Sequence, residues 1–239
     1  MTAILLIAIL LLSVQIQNVT VTGSSRYSQK QVEELLFSGR WGRNAAYVYG
    51  SDRFGPHRQI PFVEDYKIVF HNPLDVEVII YEKSIVGYVS YMSSYMYFDK
   101  DGIVVESSGN RLDGVPWVTG LEFGRIVLHQ ALPVEDKNVF GEILNLTQQL
   151  SVYDIRVDRI QYDSHGQATL FMGEMEVVMG THTDIDGKIS TLSDILKAQP
   201  QLTQISGTMH LENYSETNSG QGITFQRKCP FVYKNITEM

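Results

Sequence analysis

Three acidic segments of the form Asp-x-x-Gly are the first candidates for metal chemistry, and they begin at Asp99, Asp163 and Asp184. A calcium loop of the EF-hand type needs further oxygen ligands and a bidentate Glu at its twelfth position, but counting from Asp99 that position is Asn110. In a turn, the first Asp accepts a hydrogen bond from the backbone two residues on, and the Gly tolerates positive φ. We therefore expect turns between strands and no metal site, with the segment at Asp184 leading into a helix.

Residues that could carry out acid–base catalysis form no recognised motif. The sequence contains no Gly-rich phosphate loop after a strand, no HExxH and no Gly-x-Ser-x-Gly. His182 and His210 are the histidines nearest to acidic neighbours, and for each we expect a surface position or a structural hydrogen bond rather than a role as general base or metal ligand. Glu174, Glu176 and Asp184 leave a carboxylate pair for glycoside hydrolysis open, because the sequence does not give their separation. We predict no catalytic residues, no cofactor and no small-molecule substrate.

The composition limits the classes of partner. The 239 residues include 19 Lys and Arg against 27 Asp and Glu, a net charge of −8, and the basic residues are scattered. A nucleic-acid partner is therefore not expected, since phosphate binding needs clustered positive charge. Cys229 is the single cysteine, which excludes an intrachain disulfide. The length is sufficient for two domains.

An apolar run occupies residues 3–14 and is interrupted only by Ser13. Its length suits the apolar region of a signal peptide, whereas a membrane-spanning helix needs about 20 apolar residues. A signal peptide should also have basic residues before the run and a small-x-small cleavage site after it, and both are missing. We interpret residues 1–15 as the end of a longer transmembrane segment that begins outside this chain.

Residues 16–83 show the pattern of a small β-α-(α)-β-β module. Val19 and Val21 alternate with threonines, as in a strand. Ser28 and Gln31 have the spacing of a capping box at the start of a helix. Two alternating segments then follow on either side of the turn at Pro73, which predicts a pair of strands.

Residues 84–233 show repeated strand, turn and strand patterns, with two main helices predicted in "KNVFGEILNLTQQL" and "KISTLSDILKA". Residues 234–239 form a tail. The overall prediction is an α+β fold, in which a mixed α/β domain with a meandering sheet follows the smaller module. The stretch "YVSYMSSYMYF" places tyrosines on one side of its strands, which suits ordinary sheet packing better than a sugar-binding platform.

The order of these segments resembles the FtsQ/DivIB family of bacterial cell-division proteins. The first module is similar to a POTRA domain, with an opening strand at Ile16, Val19, Val21 and Gly23 and a closing strand at Pro73, Val76, Val78, Ile80, Glu82 and Lys83. The start of the family's β domain is matched by Tyr97, Asp99, Gly102, Pro116, Gly120 and Leu121.

This resemblance implies a non-enzymatic, single-pass membrane scaffold of the divisome, with its bulk outside the cytoplasmic membrane and concentrated at the septum. It implies partners of the FtsL and DivIC (FtsB-like) types, bound through the last strand of the β domain. In this chain that strand contains Ile223, Thr224, Phe225, Gln226, Arg227 and Lys228. An edge strand can bind a partner strand through its backbone, whereas an internal strand cannot. An extracellular enzyme, such as a cell-wall hydrolase, and a POTRA-bearing transport component remain alternatives.

Overall fold

The computed structural model describes residues 13–134, 137–214 and 223–228. It is a mixed α/β structure with four α-helices among these residues, and the chain divides into two compact units, Met1–Lys83 (unit 1) and Ser84–Met239 (unit 2). Within the described ranges, no helix combines the length and the apolar character needed to cross a membrane. Residues 1–12 of the predicted membrane segment lie outside the described residues.

Unit 1 is a three-stranded sheet with two helices between its first and second strands. Its elements are β1 (Asn18–Thr22), α1 (Gln29–Leu36), α2 (Ala45–Phe54), β2 (Val63–Phe70) and β3 (Asp75–Glu82). The strand order is β1-β3-β2, with β1 parallel and β2 antiparallel to the central strand β3. The succession of elements is the predicted β-α-(α)-β-β.

Local sequence signals account for most of unit 1. Ser28 and Gln31 form the predicted capping box at the start of α1, and Val32 is fully buried one residue later. The two strands flanking the turn at Pro73 pair in the register Tyr66 with Ile80. Residues that alternate along β3 are buried, and they are Val76, Val78 and Ile80.

The turn that follows β1 is attached to the end of β3 by one carboxylate. Glu82 accepts hydrogen bonds from the backbone N–H groups of Ser25 and Arg26, from the hydroxyls of Ser24 and Ser25, and from the Arg26 guanidinium. Burial raises the pKa of Glu82, but the hydrogen bonds from Arg26, Ser25 and Ser24 together lower it by a larger amount. The net shift of the pKa is therefore downward. The ionised carboxylate therefore stabilises this end of unit 1.

Unit 2 is built on a nine-stranded sheet, with the order β12-β11-β10-β9-β8-β7-β4-β5-β6 among the described residues. The strands are β4 (Gly87–Tyr91), β5 (Ser94–Phe98), β6 (Val104–Ser108), β7 (Trp117–Thr119), β8 (Arg159–Tyr162), β9 (Ala168–Met172), β10 (Met175–Gly180), β11 (Gly207–His210) and β12 (Thr224–Arg227). The helices are α3 (Lys137–Val152), α4 (Ile185–Ala198) and the short 3-10 helix Pro200–Gln204.

The sheet of unit 2 is mixed, so the predicted meander describes only part of it. Strand β7 is parallel to β4 and to β8, and β10 is parallel to β11. Helix α3 connects β7 to β8, and helix α4 connects β10 to β11. A helical crossover returns the chain to the end of the sheet where the preceding strand began, and the next strand is then parallel to it.

The two helices bury their apolar stripes in the core of unit 2. Ile143, Leu146 and Leu150 of α3 are buried as the sequence periodicity predicts, and so are Ile189 and Leu192 of α4. Lys188 of α4 is also buried, with its Nζ donating hydrogen bonds to the carbonyl oxygens of two residues, Met179 (2.8 Å) and Thr181 (2.9 Å).

Two of the three acidic segments are the predicted turns. The Asp99 carboxylate accepts hydrogen bonds from the N–H groups of Asp101 and Ile103, and Asp163 does the same for His165 and Gln167. The third segment leads into a helix, as predicted, but the helix begins earlier than the predicted segment "KISTLSDILKA". Helix α4 already begins at Ile185, so the Gly of that segment lies within the helix instead of closing a turn. The described residues contain no group of three or more side chains that could hold a metal ion.

The tyrosines of β4 and β5 belong to the packing of the sheet. Tyr88 and Tyr97 are buried, and their ring centroids lie 5.3 Å apart. The Tyr97 hydroxyl accepts a hydrogen bond from the backbone N–H of Leu112 (2.7 Å) and donates one to the carbonyl oxygen of Asn110 (3.2 Å). These rings are not available as a flat sugar-binding platform.

Candidate partner-binding edge

Strand β12 ends the sheet of unit 2. It is antiparallel to β11, in a register that pairs Thr224 with His210 and Arg227 with Gly207. In the part of the chain that the structure describes, no other strand pairs with its outer edge. Among the described residues β12 is therefore an edge strand.

The backbone of β12 has alternating inward and outward groups. The N–H of Lys228 donates a hydrogen bond to the carbonyl oxygen of Ser206 (3.0 Å), so residue 228 faces β11. In an antiparallel pair, every second residue is bonded to the neighbouring strand. Thr224 and Gln226 consequently face β11 as well, whereas the backbone N–H and C=O groups of Phe225 and Arg227 point away from the sheet.

The side chains of β12 divide between two faces. Ile223 and Phe225 are partly buried and pack against the core of unit 2. Thr224 and Gln226 are exposed on the opposite face. On that polar face the Lys228 ammonium lies 2.6 Å from the Glu176 carboxylate, which connects the end of β12 to β10.

All six residues predicted from the resemblance therefore lie at one sheet edge, but the site also includes residues that the sequence analysis missed. A Cβ atom at Gly207 would lie 2.4 Å from the Phe225 ring and 2.8 Å from the Gln226 carbonyl oxygen. A residue with a side chain at position 207 would therefore collide with β12, whereas glycine leaves room for it. Glu176, considered above as a catalytic carboxylate, is instead an ion-pair partner of Lys228. No sequence signal connects residues that are this far apart in the chain.

His182 lies in a half-buried position with a structural environment. Its ring stacks on that of Tyr162, and its Nε2 atom lies 3.0 Å from the Glu142 carboxylate but without hydrogen-bond geometry. Burial lowers the pKa of His182, although the charge of Glu142 opposes this effect. Burial also raises the pKa of Tyr162, whose hydroxyl has no hydrogen-bond partner among the described atoms. Stacking on Tyr162 thus orients the imidazole of His182. Its Nε2 atom is not aligned with Glu142 in a hydrogen bond, as a general base would require.

His210 has a carboxylate neighbour of its own, and Glu174 and Asp184 lie too far apart to act as a catalytic pair. His210 contacts Glu212, with Nδ1 2.8 Å from the carboxylate. Glu174 precedes strand β10 and Asp184 follows it, and six residues of strand span roughly 20 Å. Paired catalytic carboxylates of glycosidases lie about 5–9.5 Å apart. These two residues therefore do not form such a pair.

A cleft of about 180 Å³ lies in unit 2 beside the C-terminal end of α3. Its charged lining residues are Asp154 and Arg156, and no histidine lines it among the described residues. A single carboxylate without an aligned base does not make an acid–base site.

The fold and the exposed edge define a class of protein with two α/β units, whose most distinct surface is a strand edge. No protein family model matches the chain. Over 150 residues the chain is 23% identical to the cell division protein DivIB of Clostridium acetobutylicum, and the alignment covers 59% of this chain and 57% of that protein. The chain thus spans little more than half the length of the relative that it matches. The similarity supports a relationship to DivIB-type cell division proteins.

Proposed function

We propose that this protein is a non-enzymatic scaffold of the bacterial divisome that recruits or regulates septal peptidoglycan synthesis. Its partners are the FtsL and DivIC (FtsB-like) membrane proteins, and residues 223–228 are the partner-binding segment. Residues 1–15 contribute to a single membrane anchor, and both units lie outside the cytoplasmic membrane at the septum. Unit 1 has the role of the POTRA domain in this assembly.

The observation that carries this proposal is the outer edge of β12. Phe225 and Arg227 direct backbone groups away from the sheet, and no described strand pairs with these groups, so a partner strand can continue the hydrogen-bond ladder. The side chains of Ile223 and Phe225 already pack in part against the core of unit 2. The side chains left for direct recognition are therefore the exposed ones, and they are Thr224, Gln226, Arg227 and Lys228.

The similarity to a cell division protein supports the cellular process. The cleft beside α3 offers one carboxylate, Asp154, without an aligned base, which favours a scaffold over the hydrolase alternative. The similarity does not depend on the edge geometry. The two observations therefore support the proposal independently.

The decisive experiment removes one outward backbone donor without changing the inward ladder. Proline at residue 227 lacks the N–H that points to the partner, and proline is tolerated on edge strands. The full chain carrying Arg227→Pro is compared with Arg227→Ala, which loses the same side chain but keeps the N–H. Binding to the ectodomains of FtsL and DivIC from the same organism is measured by calorimetry, with the secondary structure checked by circular dichroism.

We expect Arg227→Pro to weaken binding by about 5- to 150-fold relative to Arg227→Ala, because a partner carbonyl left unpaired costs about 1–3 kcal/mol. Equal affinities of the two folded variants would show that the outer edge of β12 does not pair with the partner. If the unaltered chain does not bind the assembled partner pair at all, the choice of partners is wrong.

A further inference from the structure

The end of the apolar run is attached by hydrogen bonds to residues 43–45, at the start of α2. The carbonyl oxygen of Val14 accepts hydrogen bonds from the backbone N–H of Ala45 (3.1 Å) and from the side-chain amide of Asn44 (3.3 Å). The N–H of Ile16 donates to the carbonyl oxygen of Arg43 (2.7 Å). Residues 43–45 therefore mark where the end of the apolar run enters unit 1.

The side chain of Asn44 fixes this attachment to the fold. It is buried, with 4% of its surface exposed, and its Oδ1 atom accepts a hydrogen bond from the N–H of Tyr47 (2.9 Å), which caps helix α2. The same amide thus holds Val14 and the first turn of the helix. Because both contacts use one buried group, the end of the run cannot swing freely about unit 1.

A half-exposed tryptophan lies in the turn beside this attachment. The carbonyl oxygen of Trp41 accepts a hydrogen bond from the N–H of Asn44 (3.0 Å), and the indole is 46% exposed. The Arg40 guanidinium lies over the indole, 5.9 Å from the ring centroid. Tyr47, on the first turns of α2, is 55% exposed. Arg43 is also exposed, but its guanidinium is paired with Glu33 at 2.6 Å.

Tryptophan and tyrosine concentrate at the membrane–water interface, where one side of the ring is in apolar surroundings and the polar atom stays hydrated. Arginine beside them can bind lipid phosphate in a bidentate manner. An exposed Trp, Tyr and Arg at the end of an apolar run are the groups that such an interface selects.

We propose that residues 40–47, called here the Trp41 turn, dock on the outer surface of the membrane, with the Trp41 indole at the level of the lipid headgroups and Arg40 on lipid phosphate. The inference rests on the membrane anchoring in the proposed function, and it assigns to unit 1 a lipid-contacting face that sets its orientation on the membrane. Partner binding at β12 does not enter the argument.

The sequence supplies its own probe, because it contains two tryptophans and Trp117→Phe leaves Trp41 as the only one. The full chain with this substitution is reconstituted in vesicles of phosphatidylcholine and phosphatidylglycerol, and its association is checked by flotation. Lipids brominated near the headgroup then act as quenchers of tryptophan emission. We expect a blue shift of the Trp41 emission on reconstitution and a loss of intensity with the brominated lipid.

A matched control moves the probe along helix α2. Phe54 is 87% exposed at the far end of the helix, roughly 14 Å from its first residue. The variant Trp41→Phe, Trp117→Phe, Phe54→Trp should be quenched less than the Trp41 probe. In a further variant that keeps Trp41, Arg40→Gln should reduce the quenching more in anionic than in zwitterionic vesicles.

The outcomes separate the two proposals. A chain that does not float with vesicles contradicts both the anchoring and the docking. A chain that floats, but whose Trp41 is not quenched or is quenched no more than the probe at residue 54, contradicts only the docking. If the Trp41 emission changes only when the FtsL and DivIC ectodomains are added, the Trp41 turn contacts protein and the lipid assignment is wrong.

Discussion

Replacing Gly207 by alanine should make strand β12 detach from the sheet more often while the rest of unit 2 stays folded. The new Cβ would lie 2.4 Å from the Phe225 ring and 2.8 Å from the Gln226 carbonyl oxygen. The ring can rotate away, but the carbonyl belongs to the backbone of β12 and moves only with the strand. The substitution therefore acts on the proposed partner edge and not on the outward groups themselves.

The magnitude follows from two opposing effects. Overpacking of this kind costs about 1–3 kcal/mol, and the loss of glycine flexibility in the unfolded chain returns about 0.5 kcal/mol. The net change of about 0.5–2.5 kcal/mol raises the population of the detached strand about 2- to 70-fold. Strand β12 has only four residues and a partly exposed side chain at its centre, so this cost falls on local opening before global unfolding.

Hydrogen exchange of the peptide that contains residues 223–228 measures this opening directly. In Gly207→Ala the inward N–H groups, including that of Lys228, should exchange faster by the factor above. The partner affinity falls only as the fraction of chains with an attached β12 falls, so binding weakens measurably where the detached form is a large fraction. Gly50→Ala is the matched control, because Gly50 lies within α2 of unit 1 and no described atom lies within 4 Å of the added Cβ. It should stabilise helix α2 by up to about 1 kcal/mol and leave β12 unchanged.

Unchanged exchange in Gly207→Ala would refute the packing of Phe225 over Gly207. Exchange that shows β12 to be mostly detached, together with unchanged partner affinity, would refute the assignment of β12 as the binding edge, because a partner that needs an ordered strand binds only the attached fraction.

Two further predictions concern unit 1. Glu82→Gln should destabilise it by about 1–2 kcal/mol, since charged hydrogen bonds to Ser25 and Arg26 are weakened. Because the pKa of Glu82 is lowered in the fold, its contribution is present above the unfolded pKa and is lost as the pH falls through the folded pKa, so the melting temperatures of wild type and Glu82→Gln should converge in acid. The hydrogen bond with Asp65 raises the pKa of His57. The stabilising effect of this hydrogen bond is fully present below the unfolded pKa of His57 and is lost as the pH rises through the folded pKa. His57→Gln should therefore lower the melting temperature in mildly acidic buffer and have less effect in alkaline buffer. A difference in melting temperature that stays the same at every pH would contradict this assignment.

Features that depend on neighbouring residues could be predicted from the sequence. The capping box of α1 requires only Ser28 and Gln31, and the turns at Asp99 and Asp163 require only a carboxylate next to its own backbone. The alternation along β3 and the stripe of α3 follow from the periods of the strand and the helix. Each of these elements satisfies its hydrogen bonds or buries its apolar face within a few residues.

Features that depend on distant pairing could not be predicted in the same way. The acidic segment at Asp184 has the composition of a turn, but the core packing of Ile185 and Ile189 extends α4 through its glycine. The parallel pairs had an indirect signal, because a helix between two strands is typical of a crossover connection. The place of β12 at the end of the sheet had no signal in the sequence, because strand order is set by contacts between distant residues such as Phe225 and Gly207.

The parallel pairing of β1 and β3 has a mechanical consequence. Strand β1 is the first strand of unit 1 and β3 is the last, and the two strands share five paired positions from Asn18 with Asp75 to Thr22 with Ile79. Tension applied between the two ends of unit 1 would pull these strands in opposite directions along their common axis. The hydrogen bonds of the ladder would then be loaded together in shear instead of being opened one after another. Unit 1 is thus arranged to transmit force along the chain without unfolding first at its entry strand.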